Sequence, residues 1–229
     1  PTSKGAHFVK SQYTPEFAIV GEPSGWDRVT LGYKGSLWTD YTLIRAMAHS
    51  AGQQKSAAEE AVEFWARVKG YVDAFNEGKP RIFERLDPTL RNLHSEDDGL
   101  HETARLTIGL RLPVGVEVPE LEVRITEMAR GAAVRFSTET PAYRAEKNNA
   151  LVRAFLASIR EQSGEPGFTL KTGTSDMNIL GPYWKCPIVT YGPGDSNLDH
   201  TPNEHIDLGE YAKAIAVLAG VLATLTEKR

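Results

Sequence analysis

The stretch ARLTIGLRLPVGVEVPELEVRITEMARGAAVRFS, residues 104–137, holds a strand, a helix and a second strand in succession. Ala104–Leu112 alternates apolar and polar residues, the period of a half-buried strand. Pro119 suits a first helical position, Leu121, Ile125 and Met128 recur at i, i+4 and i+7, and Gly131 stops the helix. Ala132–Ser137 then returns as a strand. The same grammar precedes this stretch. Val29 to Ile44 is rich in Thr, Tyr and Trp and reads as one half-exposed strand. Ser56-Ala57-Ala58-Glu59 is a capping box, followed at helical spacing by Val62, Trp65, Val68 or Lys69, Val72 and Phe75, with Gly78 and Pro80 ending the helix. Thr89–His94 is a further strand, joined to Ala104–Leu112 through the polar turn Ser95-Glu96-Asp97-Asp98-Gly99. Residues 31–140 therefore read strand, helix, strand, strand, helix, strand, the split βαβ order of ferredoxin-like folds. This predicts a four-stranded antiparallel sheet with helices Ser56–Glu77 and Pro119–Arg130 on one face.

Outside that block the pattern is α/β. Phe17-Ala18-Ile19-Val20, stopped by Gly21-Glu22-Pro23, reads as a short buried strand of a parallel sheet. After Pro141 come a helix over Asn148–Arg160, strands Phe168–Thr172 and Lys185–Tyr191, and a last helix with Asp207 as N-cap and Glu210 at N3. Leu208, Tyr211, Ile215, Leu218, Leu222 and Leu225 form its apolar seam, and Lys228 and Arg229 complement its C-terminal dipole. One domain inserted into another accounts for both patterns: residues 1–30 with 141–229 as host, 31–140 as insert. The host supplies only three convincing strands and the chain has no initiator Met, so part of the host is expected to be absent.

The 229 residues are 41% hydrophobic and 24% charged, which excludes wholesale disorder, collagen-like sequence and a coiled coil. With 26 Lys+Arg against 30 Asp+Glu the net charge is −4, so no broad cationic field invites nucleic acid. Cys186 is the only cysteine; it reads as a small buried hydrophobe, and a reducing, cytoplasmic setting is expected. No stretch reads as an apolar span of about 20 residues, and Pro1-Thr2-Ser3-Lys4-Gly5 lacks a signal-peptide core, so no membrane partner is expected.

Ligands in open α/β sheets gather beyond the carboxyl ends of strands. Glu22, Thr174-Ser175-Asp176, and Asp195 to His200 stand at three such ends. From local pattern alone Glu22 is either an exposed loop carboxylate or a ligand, and both readings stand at this point. Asp199-His200-Thr201-Pro202-Asn203-Glu204-His205 collects metal-ligand types without a metalloprotease spacing. His49 reads as a loop histidine, Arg111 as a rim cation or an anion clamp, and Gly173-Thr174-Ser175-Asp176 as a turn or a nest of backbone amides.

Taken together, these residues resemble the M20 family of metal-dependent amidohydrolases. Ile19-Val20-Gly21-Glu22-Pro23-Ser24 is similar to the family's Gly-Glu-Pro-Ser/Thr motif, Ala48-His49-Ser50-Ala51 to its lid His-Ser motif, and Leu110-Arg111-Leu112-Pro113 to its Asp-x-Arg strand, with Gly109 in place of the Asp. Gly173-Thr174-Ser175-Asp176 is similar to its Gly-Thr-Ser-Asp loop, and Gly192 through Glu204 to its C-terminal histidine segment. Within the family, Gly21–Arg28, Leu31-Gly32-Tyr33-Lys34-Gly35 and Lys171–Asn178 most resemble the hydrolases that free lysine or ornithine from an amino-group carrier protein, also known as N-acetyl-lysine deacetylases.

The resemblance implies a partial zinc-exopeptidase-like α/β domain with an inserted ferredoxin-like α+β lid, together the C-terminal two-thirds of a homodimeric enzyme. It implies two Zn2+ or Co2+ ions per full-length subunit, with Glu22 on one and His200 on the other. His49 would reach a neighbouring subunit's site, while Arg111, Thr174, Ser175 and Asp176 would hold a small-molecule or carrier-linked amino-acid substrate. The family's His-x-Asp ligands and Glu-Glu pair would lie before Glu22, so the 229 residues alone are expected to be inactive. Acetylornithine deacetylase, succinyl-diaminopimelate desuccinylase, and a non-catalytic dimerisation or substrate-binding piece are the alternatives.

Overall fold

A computed structural model describes residues 3–47, 49 and 54–227. The chain divides into two compact units, Pro1–Tyr33 with Tyr143–Arg229, and Lys34–Ala142.

The discontinuous unit contains helix α1 (Lys4–Val9) and strands β1 (Ala18–Gly21) and β2 (Arg28–Tyr33) from the chain's beginning. The insert contributes β3 (Gly35–Ala46), α2 (Ala57–Asn76), β4 (Asp87–Asp97), β5 (His101–Leu112), α3 (Val118–Met128) and β6 (Ala133–Thr140). The discontinuous unit resumes with β7 (Tyr143–Arg144), α4 (Ala150–Glu161), β8 (Gly167–Lys171), α5 (Met177–Trp184), β9 (Ile188–Tyr191) and α6 (Leu208–Thr226).

The insert sheet has the order β4-β5-β3-β6 with every pairing antiparallel, the ferredoxin-like arrangement. Ala104, Leu106, Ile108, Leu110 and Leu112 of β5 point to the helices and are buried, so one face of the sheet carries the core. Helix α2 starts as its capping box requires: the Ser56 hydroxyl accepts from the Glu59 amide at 3.1 Å, and the Glu59 carboxylate accepts from the Ser56 amide at 2.7 Å. Ser56→Ala is expected to lower unfolding stability by about 1 kcal/mol, read by urea denaturation. Val68 and Val72 of the expected stripe are buried, and Trp65 and Phe75 pack partly against the same core. Ala57, Ala61, Phe64, Val68 and Val72 face the sheet, with Phe64 stacked 4.6 Å from Tyr41, and Val62 is left exposed. Ala57, Ala61 and Phe64 thus add to the stripe, and of the expected residues Val62 falls outside it. The β4–β5 turn is also tighter than expected. Ser95, Glu96 and Asp97 stay in the strand, and the Asp98 carboxylate accepts from the Leu100 and His101 amides at 2.8 and 2.6 Å.

Val29 to Ile44 is two strands in two sheets, not one, and the chain changes unit at Lys34. A Cβ on Gly35 would collide with the Thr140 carbonyl, so only glycine fits there.

The second sheet joins β1, β9, β2, β8 and β7. It is mixed rather than parallel: β1 and β9 run together, as do β2 and β8, but β2 opposes β9. On one face lie α4 and α6 over Val29, Leu31, Val189 and Tyr191; on the other lie α1 and α5 over Ala18, Tyr33 and Ile188. Covering on both faces explains why β9 is buried at all four residues. Helix α5, which the sequence did not announce, hides behind Gly181 and Pro182, and Lys185 ends it in a left-handed conformation with φ 52°. Strand β9 therefore starts at Ile188 instead of Lys185. Cys186 is half-buried, and burial pushes its thiol pKa up.

The seam expected on α6 is largely not the buried one. Ala214, Val217 and Val221 are buried, whereas Leu208, Tyr211, Ile215 and Leu222 are 77%, 49%, 53% and 50% exposed. Small residues decide the docking here. A Cβ on Gly220 would come within 2.5 Å of Ser158 Oγ, which donates to the Val217 carbonyl at 2.9 Å, so α6 meets α4 through its small face. Contrary to the expectation from sequence, Leu208–Thr226 is long and apolar enough by composition to cross a membrane, with mean hydropathy 1.5. It packs on α4 through Ala214, Val217 and Val221 and leaves its other apolar flank open. Lys228 and Arg229, expected at its end, lie outside the described residues.

Candidate metal centre and substrate site

Strands β1 and β9 are parallel with Gly21 opposite Tyr191, so Glu22 and Gly192 leave the sheet side by side. The two loops are zipped together: the Ser24 amide donates to the Gly192 carbonyl at 2.9 Å and the Gly25 amide to the Gly194 carbonyl at 3.0 Å. A Cβ on Gly192 would lie 2.7 Å from the Glu22 carbonyl oxygen, which is why glycine stands there. The Ser24 hydroxyl donates to that carbonyl at 3.3 Å and shares a 2.9 Å hydrogen bond with Thr30 Oγ1, which lies 2.6 Å from Thr169 Oγ1.

Glu210 completes the clasp. Its carboxylate accepts from the Trp26 amide at 2.9 Å and the Gly194 amide at 3.1 Å, and so ties both loops to α6. The sequence marks Glu210 only as the third residue of a helix; nothing in it signals a partner 184 positions away. A hydrogen bond to a charged group contributes about 1.5–3 kcal/mol. Glu210→Ala should therefore speed hydrogen exchange of the Trp26 and Gly194 amides about tenfold or more, measurable by NMR.

Glu22 is half-buried, and its carboxyl pKa is raised by that burial, then by the charges of Asp176 and Asp199, against the opposing pull of His200 and Lys171. Lys171 is held below the usual lysine range by burial, against the attraction of Asp195, Asp199 and Glu22, and its Nζ donates to Ser196 Oγ. The fold thus brings Glu22, Asp176, Asp199, His200 and Lys171 into one electrostatic neighbourhood. His200 is exposed and held at φ 61°, with its amide donating to the Glu204 carboxylate at 2.9 Å. That left-handed conformation is uncommon for a residue with a side chain.

A concentration of carboxylates around a half-buried Glu22 suits a cation. Among the described residues, however, no three His, Cys, Asp or Glu side chains stand close enough to hold a metal ion. Glu22 and His200 fit as single ligands, and do not make a complete centre by themselves.

Because β8 runs against β9, the Thr174–Asp176 turn does not leave the sheet from the same end as Glu22, contrary to the expected arrangement of three carboxyl ends. It is still close enough for Asp176 to act on Glu22. The nest of amides expected there is partly spent: the Ser175 amide donates to Asn178 Oδ1 at 2.8 Å, and the Met177 amide to Ser175 Oγ at 3.1 Å. Thr174 and Asp176 remain half-buried, and Asp176 precedes α5 without capping it. Tyr33, missed by sequence reasoning, packs its phenol against the hydroxyls of Thr190 and Ser175 and feels the charge of Glu22; burial raises its pKa.

Arg111 and His49 belong to the insert. Arg111 is half-buried on the face of β5 away from the helices, and its pKa is lowered by burial and then by the charge of Arg91. Gly109, two residues before it, is paired with Trp38, whose indole lies 3.9 Å from where a Cβ would stand. A side chain at Gly109 would therefore rest in ordinary contact on the indole. His49 is exposed; Ala48, Ser50 and Ala51 of its motif lie outside the described residues.

Residues 4–224 match the profile of Peptidase family M20/M25/M40. A [LysW]-lysine hydrolase of Deinococcus radiodurans is 44% identical over 98% of the chain, which covers 64% of that protein. A putative [LysW]-lysine/[LysW]-ornithine hydrolase of Pyrococcus horikoshii is 41% identical over 97% of the chain and 62% of its own length. The chain thus spans under two thirds of these curated relatives. Among solved structures, a Staphylococcus aureus tripeptidase shares the fold at TM-score 0.74 and 14% identity, over 98% of this chain and 61% of that one. A metallo-carboxypeptidase from Sulfolobus solfataricus does so at TM-score 0.73 and 16% identity, over 95% and 66%. The family's motifs stand in its order along an α/β unit with a ferredoxin-like insert, and the profile matches nearly the whole length: the chain belongs to the M20 peptidase family.

Proposed function

We propose that the protein carrying this chain is a metal-dependent amide hydrolase that releases lysine or ornithine from a carrier-protein-linked or N-acyl amide, in lysine or arginine biosynthesis. The 44% identity to a [LysW]-lysine hydrolase carries this reading. The electrostatic meeting of Glu22 with His200 supports it, since mixed carboxylate and imidazole ligands suit Zn2+ or Co2+. A divalent ion there supplies Lewis-acid polarisation of an amide carbonyl and of water.

In this reading Glu22 and His200 each hold one ion, and the hydrogen bonds of Ser24 and Glu210 keep the two loops in register. Thr174, Ser175 and Asp176 orient the substrate backbone, Arg111 pairs with its carboxylate, and His49 from a partner subunit donates to the developing oxyanion. The substrate is a small molecule or a carrier-linked amino acid, and the enzyme is a cytoplasmic homodimer. Purified full-length protein should contain about two Zn2+ or Co2+ per subunit and free lysine or ornithine from the carrier-linked amide. Faster release from acetylornithine or succinyl-diaminopimelate would reassign the substrate.

A second reading concerns the 229 residues alone. With no three-ligand cluster among the described residues, this stretch by itself is expected to bind substrate and pair without turnover. Metal-dependent hydrolysis by the isolated chain, free of longer enzyme, would refute that.

A further inference from the structure

The open face of the insert sheet carries more positive charge than it neutralises. Lys34, fully buried, donates to the Arg85 carbonyl at 2.6 Å and forms an ion pair with Asp87. Asp87 is the cross-strand partner of Arg111, so the one carboxylate beside Arg111 is already committed to Lys34. Among the described residues, no ion pair or hydrogen bond engages the Arg111 guanidinium. A second guanidinium adds to the excess. The register of β4 against β5 slips between Leu90 and Asn92, and Arg91 is the unpaired residue of that irregularity. Bulges re-aim side chains, and here the Arg91 guanidinium lies 5.5 Å from the centre of the Trp38 ring, over the face that Gly109 opens. Its charge reaches Arg111 and opposes the protonated state there. Two like-charged forks near one another, one of them half-buried and unpaired, are stabilised by an anion that bridges or neutralises them.

We propose that Arg91 and Arg111 together form an anion site on the open face of the insert sheet, with Trp38 as its apolar wall, and that its ligand is a carboxylate-bearing molecule. This rests on the reading of Arg111 as a substrate-carboxylate group, and extends it to a second cation that no family motif contains. Planar guanidinium forks match planar carboxylates in two-point contact, and the indole wall favours an organic carboxylate over a fully hydrated inorganic anion.

Equilibrium binding tests the site without turnover, so its failure is separable from failure of the hydrolase reading. The 229-residue chain is titrated with glutarate at constant ionic strength, and Trp38 fluorescence is followed, with Trp38→Phe identifying its share of the signal. Saturable glutarate binding, weakened about tenfold or more by Arg91→Gln and by Arg111→Gln, and less by Arg91→Lys, is the expected result. Arg105→Gln, on the same face but paired with Glu96, should leave it within about twofold. Each tenfold loss corresponds to about 1.4 kcal/mol. Unchanged binding by Arg91→Gln, with unchanged circular dichroism, overturns the role of Arg91. Inorganic phosphate binding as tightly as glutarate overturns the carboxylate assignment.

Discussion

Glu22→Gln and His200→Ala in the full-length protein should each lower amide hydrolysis by about a thousandfold or more and each remove a bound ion. Lewis-acid stabilisation contributes several kcal/mol to such a transition state, and about 1.4 kcal/mol is a factor of ten in rate. The two variants should differ in the metal-free protein. Burial, Asp176 and Asp199 raise the Glu22 pKa above its ordinary value. A raised carboxyl pKa means that the folded state binds more protons than the unfolded one, so stability falls as pH rises from the ordinary carboxyl range through the folded value. At neutral pH Glu22 is therefore a cost to the metal-free fold. Glu22→Gln should raise the metal-free Tm while abolishing metal-induced stabilisation. His200 is exposed on its loop, and His200→Ala should change the metal-free Tm little. Atomic emission for metal content, thermal melts with and without chelator, and a turnover assay read these outcomes. Full activity with two ions in either variant would end the assignment for that residue.

How far the sequence could carry this picture depended on how local each signal was. The insert's strand and helix order was legible because the capping box at Ser56 and the alternation in Ala104–Leu112 are decided by neighbours in sequence. The stripe of α2 was legible apart from Val62, but the docking face of α6 was not, because close approach at Gly220 outweighs the bulk of the more apolar seam. Lys34 was invisible as a boundary, since Tyr33 and Gly35 both read as strand and the two strands part only in their pairing, β2 with β8 and β9, β3 with β5 and β6. Site motifs were legible as short strings around Glu22, Ser175 and His200. Their supports Glu210 and Tyr33 act across long sequence separations, through a pair of carboxylate hydrogen bonds and one buried hydroxyl, which leave no periodic trace.

The insert's edge should decide the oligomeric state. Among the described residues strand β4 pairs only with β5, so its other side presents backbone amides and carbonyls along Asp87–Asp97 to a second strand. Charge normally blunts such an edge, yet Leu90 and Leu93 stand 36% and 45% exposed on the side where the core lies, opposite Ile108 and Leu106. Pairing two β4 strands about a twofold axis would satisfy both edges and cover the two leucines at once, and an isologous contact of this kind closes without further growth. The protein should therefore sediment as a dimer at tens of micromolar. Each leucine is already partly in water, so Leu90→Lys with Leu93→Lys should cost the folded monomer little. In the dimer the same change sets like charges across the axis and leaves them desolvated. The double variant is thus expected to sediment as a monomer with unchanged circular dichroism, and the outward amides of β4 should lose their exchange protection. A wild-type monomer, or a double variant that stays dimeric, would move the interface away from β4.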